Sequence, residues 1–397
     1  MFSQSSWSAL VRYALFSMFA SMHFFSAVLV PMYTDWAGLD ESYISIIQAW
    51  FMIGGLTLDV PTGIFADRCG RKLSLILGAL ICACGLVIYG SYPSIYVFIA
   101  GELILALGNK LMQGADQALL FSSVPELKDP QIHAGVTRII LIIRRITMIV
   151  GSIAGGFIAS AWGFNYPILC SAIPLLIAAI IALGFKEVHR THVITVRDAF
   201  REGYREVHHN ACVRGLMVQM MISSVPGYFI LWLYQPLLKR VMFPITYYGF
   251  AHSGLLVAQI TILLGFALIV RKLGSERRYL LLSAILSSGA YLLAAYSLSA
   301  ASAIIFIAIG GLFTLTRNDI LRGYINPHVT PKYQATVVSY IGMMTSILVV
   351  VMNIAVSIVI QYSFGATLLM IGVFPLLSLL FLPKAECFEK RKEEGNM

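Results

Sequence analysis

Apolar runs of about 18 to 25 residues recur along the chain, separated by short connections that hold most of its charge. A run of that length crosses a hydrocarbon core of roughly 30 Å as an α-helix. The pattern predicts spans near residues 9–32, 43–65, 73–92, 95–123, 134–160, 165–185, 214–236, 246–271, 279–298, 301–319, 335–360 and 364–383, twelve in all. The connection between the second and third spans packs Asp67, Arg68, Arg71 and Lys72, with Gly63 and Gly70, into ten residues. Charge of that density is unfavourable in lipid, so this stretch reads as a short polar hairpin on one face of the bilayer.

Composition agrees with the pattern. Of 397 residues, 58% are hydrophobic and 12% charged, against about 25% charged in ordinary soluble domains. That excludes a soluble globular chain and leaves an integral membrane protein. The net charge of +9 sits in connections and helix ends, so it speaks of topology rather than of nucleic-acid binding. On the face of the 63–72 hairpin lie Lys128, the segment Lys186 to Arg214, the cluster Arg271, Lys272, Arg277 and Arg278, Lys332, and the tail residues Lys384, Lys390, Arg391 and Lys392. The opposite connections hold Lys239 and Arg240 beside Asp35, Asp40 and Glu41. Short loops rich in Lys and Arg stay on the cytoplasmic side. Both termini are therefore expected in the cytoplasm, and the scant extramembrane mass points to a bacterial inner membrane. The chain runs from Trp7 into a full span with Arg12 near its start, so no cleavable signal is expected. Cys69, Cys82, Cys84, Cys170, Cys212 and Cys387 lack ligand spacing and read as buried free thiols.

Residues 186–213 interrupt the alternation. They divide the chain into an N-terminal half, 1–185, and a C-terminal half with its tail, 214–397. Within this linker Val196, Phe200, Tyr204 and Val207 fall on one helical face, beside stripes of Arg197, Arg201, Arg205 and of Asp198, Glu202, Glu206. The expectation is an amphipathic helix on the membrane surface or under the bundle. The segment 271–278 stands in the second half where 63–72 stands in the first. It keeps the positive charge and a glycine, Gly274, and lacks the acid, as a degenerate internal repeat does.

Gly63, Asp67, Arg68, Gly70, Arg71 and Lys72, in that spacing, resemble the signature loop between helices two and three of the major facilitator superfamily of secondary transporters. The resemblance implies an all-α membrane protein with twelve transmembrane helices in two six-helix pseudo-symmetric halves, rocking about a midplane cavity. It also implies that this loop is a conformational latch. In physical terms Gly63 and Gly70 let a helix end and turn tightly. Asp67 meets the positive end of a helix dipole, and the basic residues pair with acids on adjacent helices. The plainer reading of the same charges is topology alone.

Ionisable residues at bilayer depth are functional candidates. In the fourth span Glu102, Asn109, Gln113 and Asp116 fall within about 60° of one another around the helix, with Lys110 on the flank. The stripe covers roughly 21 Å of depth and must face a wet cavity or polar partners. Lys110, Gln113, Gly114 and Ala118 resemble the superfamily's fourth-helix motif, associated with proton coupling, with lysine where the family has arginine. Lysine keeps the charge and loses the bidentate fork. Asp116, Asp59 and Glu102 are the candidate proton-carrying acids. For Asp116 the alternative is a charge network with Arg71 and Arg68, and for Asp59 an ion pair to Arg138 or Lys110. Pro61 predicts a kink beside Asp59. In the fifth span Arg144 and Arg145 point about 100° apart. Either captures an anionic group of a substrate or bridges to Asp59, Glu102 or Asp116. Gly151, Gly155 and Gly156 form a close-packing surface, resembling the fifth-helix motif of family exporters with Gly156 where that motif has proline.

The second half carries aromatic and methionine stripes instead: Met217, Met220, Met221, Tyr228, Trp232, Tyr234 and Gln235 in the seventh span, Tyr340, Met343, Met344 and Asn353 in the eleventh. Such stripes serve a core more often than a ligand. Tyr228, Trp232, Gln235 and Tyr340 nonetheless join Asn109, Gln113, Arg144 and Arg145 as candidate cavity residues. Pro226 and Gly227 permit a bend. Arg317, Asp319 and Arg322 read as a second latch, and His23 and His252 as hydrogen-bonded fillers in apolar helices. No nucleophile elbow, metalloprotease pair or phosphate-binding loop is present, so neither an enzyme, a cofactor, a metal site nor ATP-driven transport is expected. The expectation is a monomeric secondary transporter that exports a small amphiphilic molecule by alternating access, coupled to protons. Uptake of an organic anion or metabolite by symport or facilitation, a lipid or lysolipid flippase or scramblase, and a flux-free sensor are the alternatives.

Overall fold

The apolar runs fold as helices. The computed structural model describes residues 3–187, 196–325, 328–329, 333–382 and 387. Lys332, Lys384, Lys390, Arg391 and Lys392 lie outside the described residues, as do 188–195 of the linker and the side chains of Lys128 and of 196–201. Among the described residues ten helices are long and apolar enough to cross a membrane, and two bent pairs bring the number to twelve if each pair is one span.

The first span is broken. Helix α1 (Gln4–Ala20) ends, a short turn follows, and the chain resumes as Leu29–Pro31 and a π-helical turn, Met32–Trp36, with a bend of 56°. Helix α2 (Glu41–Cys69) bends by 47° where Asp59 gives way to Pro61, because proline removes a backbone donor and crowds the preceding turn. The hairpin that follows is tighter than the sequence predicts. Helix persists through Gly63 to Cys69, so Gly63 ends no helix, and Gly70 alone makes the turn with a φ of 106°, a backbone that side chains rarely adopt. Helix α3 (Arg71–Ser91) begins at once. Glu187 accepts the Lys72 backbone N–H at 3.3 Å, placing a carboxylate on the positive end of α3.

Helices α4 (Ile95–Ser123), α5 (Pro130–Trp162) and α6 (Tyr166–Leu183) follow. After the linker come α7 (Val196–His209), α8 (Ala211–Arg240), α9 (Tyr248–Leu273), α10 (Glu276–Tyr296), α11 (Ala300–Arg322, with a π-helical turn at Gly310–Thr314), α12 (Gln334–Tyr362) and α13 (Phe364–Phe381). The chain divides into two compact units, Met1–Val193 with Pro244–Ser253, and Ile194–Phe243 with Gly254–Met397.

Leu, Ile and Val residues such as Ile139, Ile180, Leu264 and Leu268 stand exposed on the helices, a surface that suits lipid and not water. Aromatic rings mark one end of each unit. Tyr92, Tyr96 and Trp162 lie in the first at the end opposite the Gly70 turn, Tyr296 and Tyr362 in the second at the end opposite Gly274. Tyr96, Tyr296 and Tyr362 are 81%, 85% and 85% exposed, as rings anchored at a membrane interface are.

Helix α7 packs against α12. A Cβ on Gly203 would lie 2.9 Å from Tyr340 Cβ, Tyr204 meets the Tyr340 ring edge-on, and Val207 is fully buried. Of the two placements the linker pattern allows, the helix takes the one against the protein. The cysteine expectation is corrected. Cys212 and Cys387 form a disulfide with Cα atoms 5.7 Å apart, while Cys69 and Cys84 are exposed thiols. The bonded pair is 175 residues apart in sequence, a separation at which spacing carries no signal. His328 Nε2 lies 2.8 Å from the Cys387 carbonyl, and Asn210 donates to the His328 carbonyl at 3.1 Å.

Candidate functional site

The polar stripe of α4 meets different partners at different depths. Its residues part company along the helix, because each depth meets a different neighbour.

Near the start of α4, Glu102 is buried and surrounded by neutral donors. Gln48 Nε2 of α2 donates to Glu102 Oε1 at 2.7 Å and Tyr89 of α3 at 2.9 Å, and the Tyr33 hydroxyl, carried by the π-helical turn, lies 3.5 Å from the same oxygen. The Tyr33 and Tyr89 hydroxyls also bond to each other. Phe98 and Trp36 close the cluster with ring contacts. The ion pairs among the described residues do not include Glu102.

Midway, Asn109 donates to its own helix at the Leu105 carbonyl, 2.9 Å away. Lys110 pairs with Asp59 at 2.6 Å, just before the bend at Pro61. Of the partners considered for Asp59, lysine is the one present, and Arg138 is exposed. Gln113 is also exposed.

Toward the far end, Asp116 pairs with Arg144 of α5 at 2.8 Å. Tyr13 and Ser17 of α1 complete this group, accepting from Arg144 at 3.3 and 3.2 Å, with the Tyr13 hydroxyl 3.4 Å from Asp116. Three helices meet on one guanidinium. Arg71 lies 3.7 Å from Asp67 across the Gly70 turn, and Arg68 is exposed. Arg144 and Arg145 diverge as their register dictates, Arg145 lying toward His252.

The glycine motif of α5 takes backbone on both sides. A Cβ at Gly151 would sit 2.7 Å from the His23 carbonyl, and one at Gly155 would overlap the Phe24 carbonyl. A Cβ at Gly156 would sit 3.3 Å from the Thr246 carbonyl. The broken stretch of the first span therefore rests directly on α5, an approach only glycine permits. His23 is not the hydrogen-bonded filler expected, since its buried Nδ1 has no hydrogen bond among the described residues.

In the second unit α8 stays helical through Pro226 and Pro236, and Tyr291 of α10 donates to the Pro226 carbonyl at 2.7 Å. Tyr228 packs on Phe229 and Trp232, and Gln235 donates to the Tyr234 hydroxyl at 3.0 Å. Tyr340 belongs to the core beneath α7. Arg317 is not part of an exposed latch with Asp319 and Arg322. It is buried and donates to Ser223 at 2.9 Å, Ser283 at 2.5 Å, the Leu280 carbonyl at 2.6 Å and Ser378 at 3.1 Å. These partners lie on α8, α10 and α13, and all are neutral. Among the described residues no group of His, Cys, Asp and Glu is placed to hold a metal ion.

The fold has many solved counterparts. A bacterial homologue of the human lysosomal transporter Spinster aligns over 98% of this chain and 99% of its own with a TM-score of 0.75 at 13% identity. The nucleoside transporter NupG aligns over 95% and 98% with a TM-score of 0.72, also at 13% identity. At such identities the likeness is one of fold. In sequence, Multidrug resistance protein 2 of Bacillus subtilis (strain 168) is 23% identical over 318 residues, 76% of this chain and 75% of that protein. The family model of the Major Facilitator Superfamily matches residues 13–316. A helical membrane fold, a charged turn at Gly70 and a match over most of its length place this chain in the major facilitator superfamily, a family of transporters and not of enzymes.

Proposed function

We propose that the protein is a secondary active transporter that exports a small amphiphilic molecule by alternating access, with protons as the coupling ion. One observation carries the proton assignment. The other two acids considered from sequence face cations, Asp59 Lys110 and Asp116 Arg144, whereas Glu102 is buried among hydroxyl and amide donors. The Gln48 amide and the tyrosine hydroxyls all meet Oε1, so Oε2 is the oxygen that takes and gives the proton. Of the three acids considered from sequence, Glu102 is the carrier. The Asp116 and Arg144 pair, shared with Tyr13 and Ser17, is the charge lock that opens when access alternates. A multidrug resistance protein among the relatives supports export and an amphiphilic substrate. The charged turn at Gly70, with Asp67 to Arg71 and Glu187 on the α3 terminus, serves as the latch on the side that we assign to the cytoplasm, in a bacterial inner membrane.

Proteoliposomes loaded with 1-naphthoate or ethidium, as anionic and cationic amphiphilic probes, test the reading. An imposed pH gradient drives probe movement in the wild type. Glu102→Gln lowers gradient-driven flux at least tenfold and leaves probe exchange without a gradient intact. Unaltered gradient dependence in Glu102→Gln would sink the proton assignment, and absence of gradient-driven movement of either probe in the wild type would sink proton-coupled export of such amphiphiles.

A further inference from the structure

We propose that Arg145, His252 and His23 form a subsite for the anionic head of the transported molecule, a carboxylate or phosphate monoester on an apolar body. The proposal rests on the transporter reading and adds the sign of the substrate's charge.

Three segments converge on one layer of the first unit. The break in the first span lies against α5 through Gly151 and Gly155, which brings His23 onto that helix. On the adjoining side of α5, Gly249 packs on the Ser152 backbone and Ser253 donates to the Ile149 carbonyl at 3.3 Å, which fixes His252 beside the same stretch. Arg145 is one helical turn before Ile149 and shares its side of α5. His252 is within electrostatic range of both Arg145 and His23. Three nitrogen-bearing side chains from three separate segments thus share one layer, with His252 buried in it.

Two further features point to a ligand. The His23 Nδ1 is buried with no hydrogen bond among the described residues, and such a group in a membrane interior calls for a partner. The first span is discontinuous at this level, the device by which transporters expose polar groups to a substrate inside the bilayer. The chemistry of the trio selects the ligand. A guanidinium grips a carboxylate or phosphate through two parallel N–H bonds, and an anion seated among the three groups lets both imidazoles donate to it. A cationic head finds no acceptor of matching charge in this trio.

The test uses the purified full-length protein in detergent at one fixed pH, with the unfolding midpoint as readout, since a ligand of the folded state raises it by mass action. The probes share one apolar body and differ in the head: 1-naphthoate, 1-naphthyl phosphate and 1-naphthylmethylammonium. Lysophosphatidylglycerol is a fourth. The anions are expected to raise the midpoint in a saturable way and the ammonium to leave it unchanged. Arg145→Gln raises the half-saturating naphthoate concentration at least tenfold, His23→Gln and His252→Gln at least threefold each, and the exposed Arg277→Gln not at all. If Arg145→Gln fails to fold, Arg145→Lys, which keeps the charge and loses the fork, still reads the site through an intermediate loss. An Arg145-dependent effect of the lysolipid alone upholds the anion subsite and makes a membrane lipid its occupant. Stabilisation by the ammonium but by none of the anions, or anion binding indifferent to Arg145, overturns the proposal. Binding that survives while proteoliposome flux is absent strikes the transport reading and leaves the subsite standing.

Discussion

The first unit, Glu102 apart, sets its intramembrane acids against bases, and the second holds a cation among neutral oxygens. Asp116 and Arg144 share a group with Tyr13 and Ser17, and Asp59 faces Lys110. Arg317 faces three serines and a carbonyl. An ion pair can be exchanged for another as helices move, because each partner keeps its charge and seeks a new counter-ion. A guanidinium spread over hydroxyls of three helices has no such alternative and acts as a pin. Under the proposed alternating access, the contrast fits exchangeable pairs in the first unit and a fixed hub in the second.

The largest effect is expected where a cation is taken from its acid. Arg144→Met takes from Asp116 its paired cation and should destabilise the protein by about 3 kcal/mol, the low end of the range for breaking a buried pair because both groups keep some exposure. Reversing the pair, Asp116→Arg with Arg144→Asp, should recover about half of that loss, a coupling that a double-variant cycle measures. Equal losses in the single and reversed variants would show that the charges do not interact.

The second unit should respond the other way. Arg317→Met removes a cation whose hydrogen-bond partners among the described residues are all neutral. Ser283 and Ser378 keep hydrogen bonds to the Leu280 and Pro375 carbonyls, so the stability change should stay within about 1 kcal/mol. Arg317→Lys retains the buried charge and loses the fork that reaches three helices. It should cost about 2 kcal/mol, one or more charge-assisted hydrogen bonds. Reversible unfolding in mixed micelles decides it, and a methionine variant less stable than the lysine variant would refute the hub with an uncompensated charge.

The same contrast shows what a sequence conveys. Spans, the bend at Pro61 and the turn at Gly70 are legible because each follows from local chemistry: apolar length, a missing donor, a permitted φ. Partner choice is not local. Glu102 and Asp116 share a helical face, yet about 21 Å of rise separates them, and different helices lie at the two depths. Gly63 looks like a helix end because glycine permits one, but nothing in the fold asks for a turn there. Tyr33, Gln48 and Tyr89 escaped notice as single polar groups in apolar spans, and only the need of a buried carboxyl for donors could have drawn attention to them. Arg317 precedes Asp319 by about 200° of helical rotation, which turns it inward while Asp319 stays outside, a point that sequence proximity to a charged end obscured.

The smallest effect lies at the helix caps, where the units again differ in kind. In the first, Asp40 caps α2 by accepting the Ser42 backbone N–H at 2.9 Å. In the second, Ser275 caps α10 through the Arg278 N–H at 3.2 Å. Replacing either by alanine should cost about 1 kcal/mol at neutral pH. Only the first cap titrates. The Ser42 backbone bond, and then its side chain, hold the Asp40 carboxyl below its ordinary value. Its contribution is therefore fully present above the unfolded-state value near ~3.9 and is lost as pH falls through the folded-state value. The gap between wild type and Asp40→Ala should be constant from pH 7 to 5 and narrow below about 4, while the gap for Ser275→Ala stays level throughout. Parallel curves for the two variants would mean that the Asp40 cap acts through its backbone geometry and not through its charge.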